Sequence, residues 1–171
     1  MMDPFATLGV EPRFDLDLGE VARRHRELSR ALHPDRYTGA PAAERRLALS
    51  RAIEVNDAFR LVKDPIRRAE ALLVRAGVPV GETSEPKPSP ALLMDMMERR
   101  EELGDARRAK DLAAVHKLGE AMRAREEEVL RALGQALAGE PRAALPYLGE
   151  LRYIRRFLDE VSAIEEELAP G

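Results

Sequence analysis

His33, Pro34 and Asp35 set an imidazole and a carboxylate on either side of a proline. Proline fixes its own φ and keeps the residue before it out of the helical region. Both polar groups are therefore held on a stiff turn in water, where a partner reads them with little loss of conformational freedom. The carboxylate is suited to accept a bidentate arginine. An Asp beside a helix break is also what an ordinary capping turn contains. The same two groups would serve as an acid–base pair, but no third catalytic group or pocket accompanies them. His25 and His116 share no metal-ligand spacing with His33. The 171 residues include no cysteine, which rules out disulfides, zinc–thiolate sites and protein-held iron–sulfur clusters. No glycine-rich phosphate loop is present, so the chain is expected neither to bind nor to hydrolyse ATP. No cofactor and no metal are expected, and no enzymatic activity.

The elements that position this turn are legible from periodicity. A short helical turn at 4–9 is stopped by Gly9, and a loop with Pro12 follows. A helix is predicted over about 18–32. Leu18, Val21, His25, Leu28 and Leu32 fall within an arc of about 80° on it, and Arg23, Arg26 and Arg30 lie opposite. One face is expected to be buried and the other basic. The basic face reads either as a solvated surface or as one that steers an acidic partner. After the loop at 33–41, a second helix is predicted over about 42–63. Ala48, Ala52, Val55, Phe59 and Val62 form its main apolar stripe. Leu49 and Ile53 form a second stripe about 110° away, which implies two packed neighbours. Asp64-Pro65 breaks the helix, and a short one continues over 66–76 to Gly77.

Residues 78–90 carry Pro79, Gly81, Pro86, Pro88 and Pro90 and read as an interdomain linker. The expected division is 1–77, linker 78–90, and 91–171. Three more helices are predicted, at about 90–104, 106–138 and 147–168. Pro146 either starts the last one or kinks it. No segment reads as a strand, so the expected class is all-α.

Composition agrees with this. Charged residues are 35% and aromatic residues 4%, so the core must be aliphatic. Net charge is −3, divided as +2 over residues 1–77 and −5 over 78–171. Neither half is basic enough for nucleic acid. Arginines outnumber lysines 24 to 4, which weakens any single arginine cluster as a signal. The start, Met-Met-Asp-Pro-Phe, lacks an apolar core, so no secretory signal is expected. No run of 18 apolar residues exists, so no membrane partner is expected. A cytoplasmic location fits.

The helix predicted from residue 90 carries a second constellation. Leu92, Met96 and Leu103 cluster within about 40° and form its core stripe. Its back carries Leu93, Met94 and Met97 among Glu98, Glu101 and Asp105. Apolar side chains ringed by carboxylates mark a partner surface, and methionines repack around irregular shapes. They read alternatively as packing against the front half of the chain.

The order of short helix, basic helix, His-Pro-Asp loop, long antiparallel helix and Asp-Pro break resembles the J-domain, which docks on DnaK-type chaperones and triggers their ATP hydrolysis. Leu8–Leu16, Asn56–Phe59, Asp64–Glu70, Leu93-Met94, Met97–Leu103 and Leu151–Tyr153 are similar to the HscB-type J-protein over nearly the whole chain. The zinc-binding cysteine module of some relatives is missing. The resemblance implies a J-domain followed by a three-helix bundle. It also implies a co-chaperone that stimulates a DnaK-type (HscA-like) ATPase and delivers an IscU-type iron–sulfur scaffold to it. Carried over by position, the chaperone-binding residues are His33, Pro34 and Asp35 with Arg23, Arg26 and Arg30. The scaffold-binding residues are Leu93, Met94, Met97, Glu98, Glu101 and Asp105, with the family's aromatic contact falling on Tyr153. A general J-protein for unfolded clients and a helical adaptor without chaperone contact are the rival readings.

Overall fold

A computed structural model describes residues 2–81 and 83–170; Met1, Glu82 and Gly171 lie outside the described residues. All regular structure among the described residues is helical. The chain divides into two compact units at Pro79/Val80.

The first unit holds α1 (Pro4–Leu8), α2 (Leu18–Ala31), α3 (Ala42–Lys63) and α4 (Pro65–Arg75). Each start has a local cause. The Asp3 carboxylate accepts from the Phe5 and Ala6 amides at 3.0 and 3.3 Å. Asp17 accepts from Gly19 at 2.9 Å, and Asp64 from Arg67 at 3.0 Å, with Pro65 in the first turn. Gly9 ends α1 at φ 67°, a left-handed conformation that L side chains rarely adopt. A Cβ there would also lie 2.7 Å from Arg24 Nη2, whose side chain donates to the Leu8 carbonyl.

α3 packs on α1, α2 and α4. Phe5, Leu8, Val21, Val55, Ala58 and Val62 form the core, flanked by Leu28, Leu32 and Phe59. His25 lies half-buried on this seam, its ring stacked on Phe59 at 4.2 Å and its Nε2 2.8 Å from Asn56 Oδ1. Arg68 is buried, donates to the Val62 carbonyl at 2.8 Å, and lies over the Phe14 ring at 4.6 Å. It thereby ties the loop before α2 to the α3–α4 corner.

Two expectations fail here. Leu18, assigned to the buried face of α2, is exposed; it is the first residue of the helix. Leu49 and Ile53 are exposed as well, so the second stripe of α3 stands largely in solvent.

The second unit holds α5 (Pro90–Arg108), α6 (Leu112–Ala138) and α7 (Leu145–Leu168). Val115, Met122, Val129 and Leu133 of α6 meet Leu148, Ile154, Phe157 and Val161 of α7 in an aliphatic core. Gly119 lets these helices approach closely, since a Cβ there would meet Val161 Cγ1 at 3.0 Å. Glu150, buried, takes a two-pronged bond from Arg125 at 2.6 and 2.9 Å. That pairing holds the Arg125 guanidinium well above its ordinary value. Arg100–Glu160 and Arg107–Glu167 pairs, at 2.9 and 3.0 Å, fasten α5 to α7.

Helix boundaries differ from expectation in this half. α5 runs through Gly104 to Arg108. A glycine inside a helix costs only about 1 kcal/mol, and the break falls where Lys110 turns left-handed (φ 53°) and Asp111 caps α6. Pro146 lies in the first turn of α7, where its missing N–H is harmless. Between the units' helices, Val78 is buried and bonded to the Leu73 carbonyl. Glu85 accepts from the Gly81 amide and pairs with Arg152 of α7.

Candidate functional sites

The first site is the turn between α2 and α3. His33 is extended (φ −61°, ψ 136°), as the following proline requires, and Pro34–Tyr37 form a single 3₁₀ turn. The turn closes on itself. Arg36 N donates to the His33 carbonyl at 3.0 Å, Thr38 Oγ1 to the Asp35 carbonyl at 2.9 Å, and Tyr37 Oη to the Ala31 carbonyl at 3.4 Å. His33 Nδ1 accepts from the Asp35 amide at 3.2 Å. The bond requires an unprotonated Nδ1, so Nε2 carries the proton of the neutral ring. The Asp35 side chain is 92% exposed. Its carboxylate Oδ2 lies 3.6 Å from His33 Nδ1, so an imidazole and an exposed carboxylate stand side by side on a turn held by its own backbone.

The basic face of α2 is less uniform than its sequence. Arg23 is gripped by Glu20 and Glu27 of its own helix. Hydrogen bonding to Arg23 holds the Glu20 carboxyl below its usual range. Arg26 and Arg30 form no ion pair among the described residues.

The second site is the outer face of α5, in the other unit. Leu93, Met94 and Met97 are 49, 63 and 64% exposed. Leu92 and Met96 are half-buried, and Leu103 is buried on the opposite side. Glu98 and Glu101 form no ion pair among the described residues, whereas Asp105 is paired with Arg108. Tyr153 does not share this surface. It is 6% exposed, and its Oη donates to the Met96 carbonyl at 3.2 Å. Burial raises its pKa, against the pull of Arg99 and Arg100. Its place is beneath α5, holding up the helix whose far side carries the methionines.

No group of three or more potential metal ligands occurs among the described residues. No helix among them is long and apolar enough to cross a membrane. His116 makes an ion-pair contact with Glu165 of α7.

Residues 88–162 match the family model described as the HSCB C-terminal oligomerisation domain. Similar proteins include the co-chaperone protein HscB homologs of Shewanella oneidensis and Bordetella pertussis. The first is 39% identical over 67% of this chain and 66% of its own length. The second is 43% identical over 62% of each. The solved chaperone HscB from Vibrio cholerae superposes with a TM-score of 0.85 at 32% identity, covering 98% of this chain and 99% of that one. The chain belongs to the HscB co-chaperone family. The fold of human co-chaperone HscB is also similar, with a TM-score of 0.86 at 22% identity over 95% of this chain and 82% of the human one. The HscB fold is all-α, a J-domain followed by a helical C-terminal domain. In this chain the His33–Asp35 turn belongs to the former and the Leu93–Met97 face to the latter.

Leu49 and Ile53, whose stripe on α3 predicts internal packing, are exposed instead.

Proposed function

We propose that this chain is a cytoplasmic, non-enzymatic co-chaperone of iron–sulfur cluster assembly. It docks on a DnaK-type (HscA-like) ATPase through His33, Pro34 and Asp35, with Arg26 and Arg30 steering the approach. It carries an IscU-type scaffold protein on Leu93, Met94 and Met97, with Glu98 and Glu101 at the rim. The Asp35 carboxylate carries the reading best. It is almost fully exposed while its own amide bonds the neighbouring imidazole, and an arrangement that adds nothing to the core supports a role in recognition.

The mechanism is recruitment. The turn favours the partner's hydrolysing state, and the scaffold arrives on the same polypeptide, so its effective concentration at the chaperone is high. Residues 1–77 and 91–171 act as docking arm and client holder, with 78–90 joining them. Opposed surface charges raise the encounter rate rather than the final affinity, which assigns Arg26 and Arg30 to speed and the turn to triggering. ATPase assays of a purified DnaK-type chaperone test this. His33→Gln should give a protein that melts like the wild type and no longer stimulates hydrolysis. Undiminished stimulation would refute the assignment.

A further inference from the structure

We propose that Glu85, latched to Arg152 of α7, is a positioning residue for the scaffold face: through the strap of residues 83–90 it fixes the first half of α5. The inference rests on the reading of Leu93, Met94 and Met97 as the scaffold contact and names what holds that contact in place.

Packing holds this half of α5 lightly. The fully buried residues of the helix, Leu103 and Ala106, both lie beyond its midpoint. The ion pairs that fasten it to α7, from Arg100 and Arg107, lie there too. Ahead of them Leu92 and Met96 are only half-buried, and Leu93, Met94 and Met97 stand in water. A helix half with few buried contacts opens locally at low cost. A face that is ordered for part of the time binds in proportion to that fraction.

Two neighbouring residues of α7 supply ties. Tyr153 donates to the Met96 carbonyl at 3.2 Å. Arg152 pairs with Glu85, whose side chain is only 7% exposed although it lies in a proline-rich stretch. The other Glu85 carboxylate oxygen accepts from the Gly81 amide at 2.6 Å. The Gly81 carbonyl accepts in turn from the Ser84 and Glu85 amides, both at 3.0 Å. Gly81 has φ 125°, a conformation that favours glycine at the point where this loop closes. Taking a carboxylate out of water costs free energy unless charged and bonded partners offset it. The burial of Glu85 is therefore a specific placement, unlike the behaviour of a flexible linker.

From the latch to the helix the chain reads Pro86-Lys87-Pro88-Ser89-Pro90. Alternating prolines favour an extended, stiff backbone. Ser89 then caps α5, accepting from the Leu92 amide at 3.2 Å, with Pro90 in the first turn. The fixed point on α7 is carried through a stiff span to the turn that bears Leu93 and Met94.

The test combines amide hydrogen exchange of the full chain with calorimetric titration by a purified IscU-type scaffold. Glu85→Ala removes the latch. Pro86→Gly/Pro88→Gly keeps the latch and loosens the span, at exposed positions outside the core and the scaffold face. Both should speed exchange of the amides at 93–97 by about tenfold or more, leave α6 and α7 unchanged, and raise the scaffold Kd about tenfold. Glu85→Gln, which retains one acceptor oxygen, should lie between Glu85→Ala and the wild type. Stimulation of the ATPase without scaffold should not change, because the docking turn lies in the other unit. Unchanged exchange at 93–97, or unchanged scaffold affinity, would overturn the inference and leave the scaffold face standing. Faster exchange throughout α5, α6 and α7 would make Glu85 a general stabilising residue and overturn it as well. Should Glu85→Ala fail to fold, the Pro86→Gly/Pro88→Gly result decides. Leu93→Ala/Met94→Ala/Met97→Ala is the control: if it binds scaffold normally, the scaffold-face reading fails and this inference with it.

Discussion

The Asp35 amide donates to His33 Nδ1 at 3.2 Å, so the residue that presents the carboxylate also orients the imidazole. The two are one device. Asp35→Asn keeps the amide bond and removes only the charge, so it should abolish stimulation of the ATPase with a melting temperature close to wild type. Exposed positions away from special features cost within about 0.5 kcal/mol. A normal stimulation curve for this variant would show that the carboxylate is not read.

The arginines of α2 should not be equivalent. Arg26→Glu is expected to slow association with the chaperone and flatten its salt dependence, because surface charges act over about 10 Å at 0.1 M salt. Arg23→Glu should do less, since Arg23 is already neutralised by Glu20 and Glu27. Association rates measured against ionic strength check this; equal effects would mean that the intrahelical pairs break freely on docking.

Tyr153 gives a prediction in pH. Its folded pKa lies above the ordinary 10.0, so folding favours the protonated phenol. The stability this contributes is complete below pH 10 and falls as pH rises through the folded value. Tyr153→Phe should remove that alkaline limb and, at neutral pH, cost about 0.5–1.5 kcal/mol for the lost bond to Met96. Thermal melts from pH 8 to 11 report it. Scaffold affinity should weaken only through α5, by less than for Leu93, Met94 or Met97.

Much of this was legible beforehand. Asp17, Asp64, Ser89 and Pro65 are local start signals, and they place helices without help from the rest of the chain. The turn at His33 was legible because Pro34 dictates its neighbour's backbone. The end of α5 was not. Gly104 resembles a stop, yet the break depends on Lys110 adopting a left-handed conformation, which no periodicity announces. Burial of Tyr153 depends on how α5 lies over α7, and the exposure of Leu49 on what α3 fails to meet. Both are tertiary facts, invisible to a pattern that records only which residues are apolar.

The most direct test is the stimulation of a purified DnaK-type ATPase by the full chain, with and without the iron–sulfur scaffold. The Leu93→Ala/Met94→Ala/Met97→Ala variant is run beside the wild type. These side chains are exposed, so the variant should melt close to wild type rather than lose the 2–5 kcal/mol that each buried truncation would cost. The account predicts stimulation by the wild-type chain alone and a further rise when scaffold is added. The variant should keep the first and lose the second, because truncating central apolar anchors commonly costs about 2 kcal/mol or more apiece in binding. A wild-type chain that leaves the ATPase rate unchanged, or a variant whose response to scaffold is undiminished, would contradict it.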